Sequence, residues 1–284
     1  MTEQTLAGRT IFISGASRGI GLAIAVRAAR DGANVALMAK TAEPHPRLDG
    51  TVHTAAETIE AAGGRALPIV GDVRDEQQVE AAVARAVDHF GGIDVCVNNA
   101  SAIDLSGIEQ LDMKRYDLMQ DINVRGTYVV SRACVPHLRR GTNPHVLTLS
   151  PPISLEPRWL APFTAYTVAK YSMSLVALGL AQELRDAGVA SNTLWPRTLV
   201  ATAAVNNLLG GEEAMRRSRT PAVYADAAHH VLTRPSRECT GRQLLCEDVL
   251  LEAGVTDLTP YAAAGANAEL AVDLYVDEID PPRR

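Results

Sequence analysis

A short stretch near the amino terminus decides the fold of the chain, and it reads Thr10-Ile11-Phe12-Ile13-Ser14-Gly15-Ala16-Ser17-Arg18-Gly19-Ile20-Gly21. Residues that favour a β-strand lead into a turn with three glycines, and an alanine-rich helical pattern begins at once. Glycines let a phosphate approach the backbone closely, and the N–H groups at a helix start attract an anion. Because the turn joins a strand to a helix, we predict that it binds a dinucleotide pyrophosphate rather than serving only as a structural turn. The predicted contacts are Gly15, Ser17, Arg18, Gly19, Ile20 and Gly21.

The same alternation of strand and helix continues along the chain. Short apolar runs predict seven strands at residues 10–14, 34–39, 66–70, 93–98, 145–150, 190–195 and 243–246. Helical patterns lie between them at residues 19–31, 52–62, 76–90, 112–138, 165–187 and 221–233, and several end at a glycine. This alternation is typical of α/β proteins with crossover helices. We therefore predict a Rossmann-type, doubly wound, seven-stranded parallel sheet flanked by helices on both faces.

Length and composition indicate one folded unit. A chain of 284 residues is long enough for one large α/β domain and short for two average domains. Residues 1–254 are expected to form a single dinucleotide-binding and catalytic domain. Residues 255–284 lose the periodicity, so we expect a C-terminal tail or surface arm.

The charge balance narrows the possible partners. A net charge of −6, without a block of basic residues, argues against nucleic acid and favours a small-molecule substrate. The chain contains no run of ~18 apolar residues, so no membrane span is predicted. Residues 1–8 lack the apolar segment of a signal peptide, so a cytoplasmic protein is expected. The four cysteines and seven histidines show no metal-ligand spacing, and no metal site is predicted.

A tyrosine and a lysine stand four residues apart at Tyr166 and Lys170, and Lys170 is one of only three lysines in the chain. On a helix this spacing puts both side chains on one face. A fixed ammonium beside a phenol favours the phenolate and brings proton transfer closer to neutral pH. The pair is therefore a candidate general acid/base. The alternative is that Tyr166 and Lys170 only pack together on the surface of a helix.

The end of the second predicted strand bears on the choice of dinucleotide. A carboxylate there would bind the ribose 2′-hydroxyl of NAD, whereas the 2′-phosphate of NADP requires cations. The strand ends at Lys40, no carboxylate follows until Glu43, and Arg18 can approach from the phosphate loop. NADP is therefore predicted over NAD. The alternative is that these basic residues only face solvent and do not contact the cofactor.

These motifs occur in an order that resembles the short-chain dehydrogenase/reductase family, from about Arg9 to Cys246. The matching elements are the glycine turn, Asn98-Asn99-Ala100, Asn123 and the Tyr166/Lys170 pair. Further similarity to one branch of the family lies in residues 40–46, Ser150-Pro151-Pro152 and Trp195-Pro196. The resemblance implies an oxidoreductase that transfers hydride between nicotinamide and a carbonyl or secondary alcohol.

The resemblance also implies roles for individual residues. Tyr166 would be the acid/base, and Lys170 would lower its pKa and bind the nicotinamide ribose. Asn123 would mark a helix kink or a water site, and an asparagine inside a predicted helix does favour an irregularity. Asp72 and Val73 would border the adenine, and Asn99 and Ala100 would border the ribose. Pro196, which follows the sixth strand, would also contact the cofactor. The long helices at 112–138 and 165–187 would form a homo-dimer or homo-tetramer.

One expected residue is missing. The family carries a serine about 13 residues before its tyrosine to bind the substrate carbonyl, and this position is Ile153. Ser150 or Ser154 could replace it, and each could equally be a turn residue. The gap motivates a second hypothesis, a non-catalytic dinucleotide-binding sensor or scaffold. Residues 197–220 contain apolar side chains that could cover a substrate or belong to an ordinary packed helix, and the resemblance suggests a lipid-like or steroid-like molecule.

Overall fold

The computed structural model describes residues 5–44 and 49–277. Within them seven parallel strands form one sheet in the order β3-β2-β1-β4-β5-β6-β7. The strands are β1 Thr10–Ser14, β2 Asn34–Ala39, β3 Arg65–Val70, β4 Val95–Asn98, β5 His145–Thr148, β6 Ala190–Trp195 and β7 Gln243–Leu245. The strand order reverses between β1 and β4, and this is where a crevice opens beyond the carboxyl ends of parallel strands. The predicted fold class is confirmed.

Helices cover both faces of the sheet. They are α1 Gly19–Ala29, α2 Val52–Ala61, α3 Glu76–Phe90, α4 Met113–Met119, α5 Gly126–Leu138, α6 Pro157–Leu160, α7 Thr164–Glu183, α8 Ala203–Leu208, α9 Gly211–Arg216, α10 Ala222–Thr233 and α11 Cys246–Glu252. One apolar cluster joins α1, α2, α10 and α11 to the sheet, and a second joins α3 and α5 to the opposite face. No helix in the described ranges is long and apolar enough to cross a membrane.

The central strand shows how the sequence produces these two clusters. Ile11 and Ile13 belong to the first cluster and Phe12 to the second, and all three are 0% exposed. Successive side chains of a strand point to opposite faces. A strand that is buried on both faces therefore needs a continuous apolar run, as found here.

The helix predicted at residues 112–138 is divided. After α4 the chain forms a π-helix at Gln120–Arg125 before α5 begins. The irregularity expected at Asn123 is thus present as a π-helix. The connection between β2 and α2 is described only in part, because residues 45–48 lie outside the described residues.

The segment after α11 returns to the carboxyl edge of β6. Residues 271–276, which we call the strap, run antiparallel to residues 197–199. Leu199 N–H donates to the Ala271 carbonyl at 3.0 Å, and Asp273 N–H donates to the Arg197 carbonyl at 2.9 Å. Tyr275 is only 3% exposed. The described part of the predicted tail therefore packs against the domain, while residues 278–284 lie outside the described residues.

Candidate active site

The phosphate loop needs glycine at two positions for reasons of space. A Cβ on Gly15 would lie 2.8 Å from the Ala100 Cα, and Gly15 also has a φ of +73°. A Cβ on Gly21 would lie 2.5 Å from the Asn99 Nδ2. A Cβ at Gly15 would overlap the backbone that follows β4, and a Cβ at Gly21 would overlap the Asn99 side chain, so both glycines allow this turn to pack against the loop.

Asn99 fastens this loop to the end of β4. Its Nδ2 donates to the Ser14 carbonyl at 2.9 Å and to the Gly15 carbonyl at 2.8 Å. The Ser14 hydroxyl in turn accepts from the Asn99 and Ala100 N–H groups, both at 3.2 Å. Asn99 therefore holds the loop with its side chain, in addition to lining the cleft beside it.

The start of α1 has the features of an anion site. Its N-cap residue, Arg18, makes no capping side-chain hydrogen bond, and the first turn contains no acidic residue. By contrast, α3 is capped by the Asp75 carboxylate, which accepts from two backbone N–H groups. The uncapped N–H groups and the helix dipole of α1 favour a bound phosphate. These residues fit the pyrophosphate of a dinucleotide.

A cleft of about 1350 Å³ extends from the phosphate loop along the carboxyl edge of the sheet. The predicted cofactor residues that line it are Gly15, Ser17, Arg18, Gly19, Ile20, Lys40, Asp72, Val73, Asn99 and Ala100. The predicted residues that do not line it are Gly21, Asn123, Tyr166, Lys170 and Pro196. The cleft thus contains the predicted adenosine and pyrophosphate part of the site, but the Tyr166 side chain does not border it.

Three cationic side chains, Arg18, Lys40 and Arg74, line the same cleft. Lys40 Nζ lies 3.3 Å from the Asp72 Oδ2, and Arg74 Nη2 lies 2.6 Å from the same atom. The hydrogen bond from Arg74 is the largest cause that lowers the pKa of Asp72 well below its usual range. The Arg18 guanidinium donates to the Asp49 carbonyl at 2.8 Å and to the Gly50 carbonyl at 2.7 Å. Arg74 was not among the predicted contacts.

Asn123 fixes the loop after β4. It is 0% exposed within the π-helix, where its Oδ1 accepts from the Ala102 N–H at 2.7 Å and its Nδ2 donates to the Ala102 carbonyl at 2.9 Å. π-Helical turns are frequent at functional sites. Here the turn carries the side chain that holds the loop beside the site.

We expect Asn123→Ala to lower the free energy of unfolding by about 2 kcal/mol, because both backbone groups of Ala102 lose a buried partner. Urea unfolding monitored by circular dichroism measures the change. A loss below about 0.5 kcal/mol would show that Ala102 finds other partners.

Tyr166 and Lys170 share α7 and are both 4% exposed. Lys170 Nζ donates to the Leu149 carbonyl at 3.0 Å and lies 5.2 Å from the centre of the Trp195 ring. Burial lowers the pKa of Lys170 to about 7, opposed by the negative charge of Asp273. In turn, burial raises the pKa of the Asp273 carboxyl to about 7. The strap thus supplies a carboxyl group that the sequence did not suggest.

The pKa of Tyr166 differs from the expectation. Burial raises it well above its usual value of 10, and Tyr275 and Asp273 raise it further. The sequence-based expectation was that Lys170 would lower this pKa. The strap encloses the phenol, and this burial is the largest cause of the raised pKa.

Both candidate serines form hydrogen bonds to residues other than Tyr166. The Ser150 hydroxyl is 0% exposed and accepts from the Ser174 hydroxyl at 2.9 Å. The Ser154 hydroxyl accepts from the Glu156 N–H at 3.3 Å and so supports a local turn. Both serines have structural partners, and the replacement of the missing serine stays open.

The ends of the segment at 197–220 are held by ion pairs. Arg219 Nη1 lies 2.8 Å from the Glu247 Oε1, with both side chains buried. Arg197 Nε lies 2.8 Å from the Asp248 Oδ1. Arg197 is therefore paired and only 7% exposed. These pairs fix the base of the segment that contains α8 and α9.

Sequence reasoning missed the aromatic residues around Tyr166. Tyr275 in the strap lies with its ring centre 6.4 Å from that of Tyr166 and 6.2 Å from that of Trp195. The only signal was the apolar run at residues 270–276 in an otherwise polar end of the chain. Its partners are about 80 to 110 residues away in sequence, so no local pattern could identify them.

Comparison with known proteins agrees with these features. Residues 9–212 match the short chain dehydrogenase family. Hydroxysteroid dehydrogenase-like protein 2 of Danio rerio is 53% identical over 272 residues, which cover 96% of this chain and 65% of the relative. The Homo sapiens protein of the same name is 49% identical, with coverage of 96% and 64%. The chain therefore spans a little under two thirds of the length of these relatives, and the similarity to one branch of the family is confirmed.

Solved structures are similar over a larger share of their length. A short chain dehydrogenase from Mycobacterium thermoresistibile is 67% identical, with a TM-score of 0.93 and 98% coverage of both chains. An NADH-dependent reductase solved with NAD is 25% identical, with a TM-score of 0.69 and coverage of 84% of this chain and 95% of its own. The sheet order, the glycine loop and these matches together show that the chain belongs to the short-chain dehydrogenase/reductase family.

Proposed function

We propose that the protein is an NADP-dependent oxidoreductase that transfers a hydride between nicotinamide and a carbonyl or secondary alcohol. The observation that carries this proposal is the burial of Tyr166 and Lys170 side by side on α7, in a fold whose cleft is lined by the predicted phosphate-binding residues. The hydride chemistry belongs to the cofactor when it is bound. The protein supplies binding, orientation and the proton.

Each group of residues has a proposed role. The α1 amino terminus holds the pyrophosphate, and Lys40, Arg18 and Arg74 face the 2′-phosphate. Lys170 binds the nicotinamide ribose, and Tyr166 exchanges a proton with the substrate oxygen. A phenol with a raised pKa is protonated at neutral pH, which is the form needed to reduce a carbonyl.

The surroundings of Tyr166 support an apolar, lipid-like substrate. The cluster around it contains Phe163, Tyr171 and Trp195, with Ile153 and Trp159 packed against it. Aromatic and aliphatic walls bind a ligand mainly through the area removed from water. A small ketone or a fatty aldehyde with an apolar body matches this environment.

We expect Lys40→Glu to reduce the preference for NADPH over NADH about tenfold. The change removes a charge-assisted contact to the 2′-phosphate and introduces a carboxylate suited to a ribose 2′-hydroxyl. Calorimetric titration with each dinucleotide measures the two dissociation constants. Lys114→Glu, an exposed lysine at the start of α4, is the matched control. Equal shifts in both variants would mean that Lys40 acts only through overall charge.

Turnover with NADPH and a panel of ketones and fatty aldehydes tests the proposal. We expect NADPH oxidation that depends on the carbonyl compound. The second candidate is a non-catalytic dinucleotide-binding sensor or scaffold, and the enclosed Tyr166 and the engaged Ser150 favour it. NADPH binding with no oxidation by any member of the panel would support that candidate instead.

We also propose a homo-dimer or homo-tetramer formed through α5 and α7. Tyr128 on α5 is 56% exposed, and Val168 and Leu175 on α7 are 46% and 60% exposed. Exposed apolar side chains on long helices suit a subunit contact. Light scattering after size exclusion measures the mass. The cytoplasmic location stays a prediction.

A further inference from the structure

The Tyr166 phenol is covered by the strap. Tyr166 is 4% exposed, Tyr275 above it is 3% exposed, and the large cleft does not reach either ring. A carbonyl oxygen must come within hydrogen-bond distance of the phenol to receive its proton. A substrate can therefore reach Tyr166 only if part of the enclosure moves.

Tyr275 is the central ring of this enclosure. Its ring centre lies between 5.2 and 6.4 Å from those of five other aromatic side chains, which are Trp159, Phe163, Tyr166, Tyr171 and Trp195. The five neighbours belong to α6, α7, the residue before α7 and β6. Tyr275 alone comes from the end of the chain, and it fills the space between the other rings.

Hydrogen bonds between uncharged groups hold the strap in place, in addition to the charge interaction of Asp273 with Lys170. The hydroxyl groups of Tyr275 and Thr167 lie 3.1 Å apart, and Thr167 donates its proton to the Trp159 carbonyl at 2.8 Å. A threonine hydroxyl has one proton, so Tyr275 is the donor to Thr167. Trp195 Nε1 donates to the Leu274 carbonyl at 2.9 Å.

The backbone of Tyr275 is strained. Its φ is +68°, in the left-handed region that a bulky side chain rarely adopts. Such a conformation persists only where surrounding contacts impose it, and it is common at sites that switch. The segment at residues 197–220, to which the strap is hydrogen-bonded, is fixed by the Arg219–Glu247 and Arg197–Asp248 pairs. The strained strap therefore moves at a lower cost than this segment.

We propose that Tyr275 is a substrate-displaced gate: its ring occupies the place beside Tyr166 that the carbonyl end of an apolar alicyclic ketone takes, and the strap moves away when that ketone enters. This inference rests on the proposed function. The ring of the ketone would take the place of the Tyr275 ring among the same aromatic side chains. Because these side chains keep an apolar partner when the strap moves away, binding of the ketone stabilises the open state.

Displacement of the strap also changes the charges near the reacting groups. Asp273 and Tyr275 both raise the pKa of Tyr166, and Asp273 is the negative charge that raises the pKa of Lys170. Movement of the strap removes both groups at once. Lys170 then loses its protein counter-charge and is available to a ribose hydroxyl.

A first test weakens the gate and follows accessibility without any substrate. Both tryptophans of the chain contact Tyr275, with ring centres 5.8 and 6.2 Å from it. Tryptophan fluorescence therefore reports only on this cluster. Tyr275→Phe keeps the ring and removes the bond to Thr167, and we expect about twofold stronger quenching by acrylamide than in the wild type. Equal quenching in the two proteins would overturn the gate whether or not the protein is an enzyme.

A second test uses cyclohexanone and decalone as probes with saturating NADPH. Because a gate reduces apparent affinity by the closed fraction, Tyr275→Phe and Thr167→Val should lower the KM for decalone about fivefold with little change in kcat. Thr164→Val is the control, since this exposed threonine on the same helix donates to the Leu160 carbonyl and not to the strap. A raised or unchanged KM in both variants would contradict the gate. Absence of turnover in every protein, with quenching as expected, would instead contradict the proposed function alone.

Discussion

Replacing Tyr166 with phenylalanine should lower kcat by about 10³-fold or more and leave the affinity for NADPH within about threefold of the wild type. The phenylalanine ring preserves the packing against Phe163 and Tyr275, which lie with ring centres 6.4 Å away. Only the proton donor is lost. Steady-state turnover of a reactive ketone measures kcat, and calorimetric titration measures cofactor affinity.

Tyr128→Phe is the matched control for this prediction. Tyr128 is 56% exposed on α5 and has no lysine four residues later. The loss of its hydroxyl should leave kcat within about twofold, because phenylalanine keeps the ring for the proposed subunit contact and Tyr128 does not line the cleft. A Tyr166→Phe protein with wild-type turnover would mean that another group supplies the proton.

The second large effect is expected for Gly15→Ala. The new Cβ would lie 2.8 Å from the Ala100 Cα, and alanine would have to adopt a φ of +73°. The left-handed conformation and the steric overlap together should lower the free energy of unfolding by about 2–4 kcal/mol. The displaced loop should also weaken NADPH binding by about tenfold or more, since its N–H groups no longer converge on the phosphates.

Gly92→Ala separates these effects from the general cost of a new methyl group. Nothing lies within 4 Å of a Cβ at Gly92, and this glycine has no positive φ. We expect stability and cofactor affinity close to those of the wild type, measured by thermal unfolding and by calorimetric titration. An equally mild effect at Gly15 would mean that the loop tolerates a Cβ by shifting β4.

The parts of the molecule that could be predicted are those with local causes. The β1 run, the glycine turn and the start of α1 depend on neighbouring residues, so the sheet and the phosphate loop followed from the sequence. The irregularity at Asn123 was also predictable, because an asparagine followed closely by Gly126 is unfavourable in a regular helix. The structure shows which irregularity it is, a π-helix.

The rest depends on contacts between distant residues. Tyr275 is hydrogen-bonded to Thr167, which is 108 residues away in sequence, and Ser150 is hydrogen-bonded to Ser174, which is 24 residues away. Neither contact leaves a periodic pattern. The direction of the Tyr166 pKa shift could not be predicted either, since it depends on burial under the strap rather than on the nearby lysine.

The most direct measurement of the central claim is the transfer of deuterium from the nicotinamide to a carbonyl carbon. Purified protein is incubated with NADPH deuterated at the reactive carbon and with decalone, and the alcohol product is analysed by mass spectrometry. The proposed function predicts an alcohol that carries deuterium on the former carbonyl carbon, formed by the wild type and about 10³-fold more slowly or not at all by Tyr166→Phe. Tight binding of NADPH with no labelled alcohol from decalone, or from any other ketone or fatty aldehyde in the panel, would contradict it.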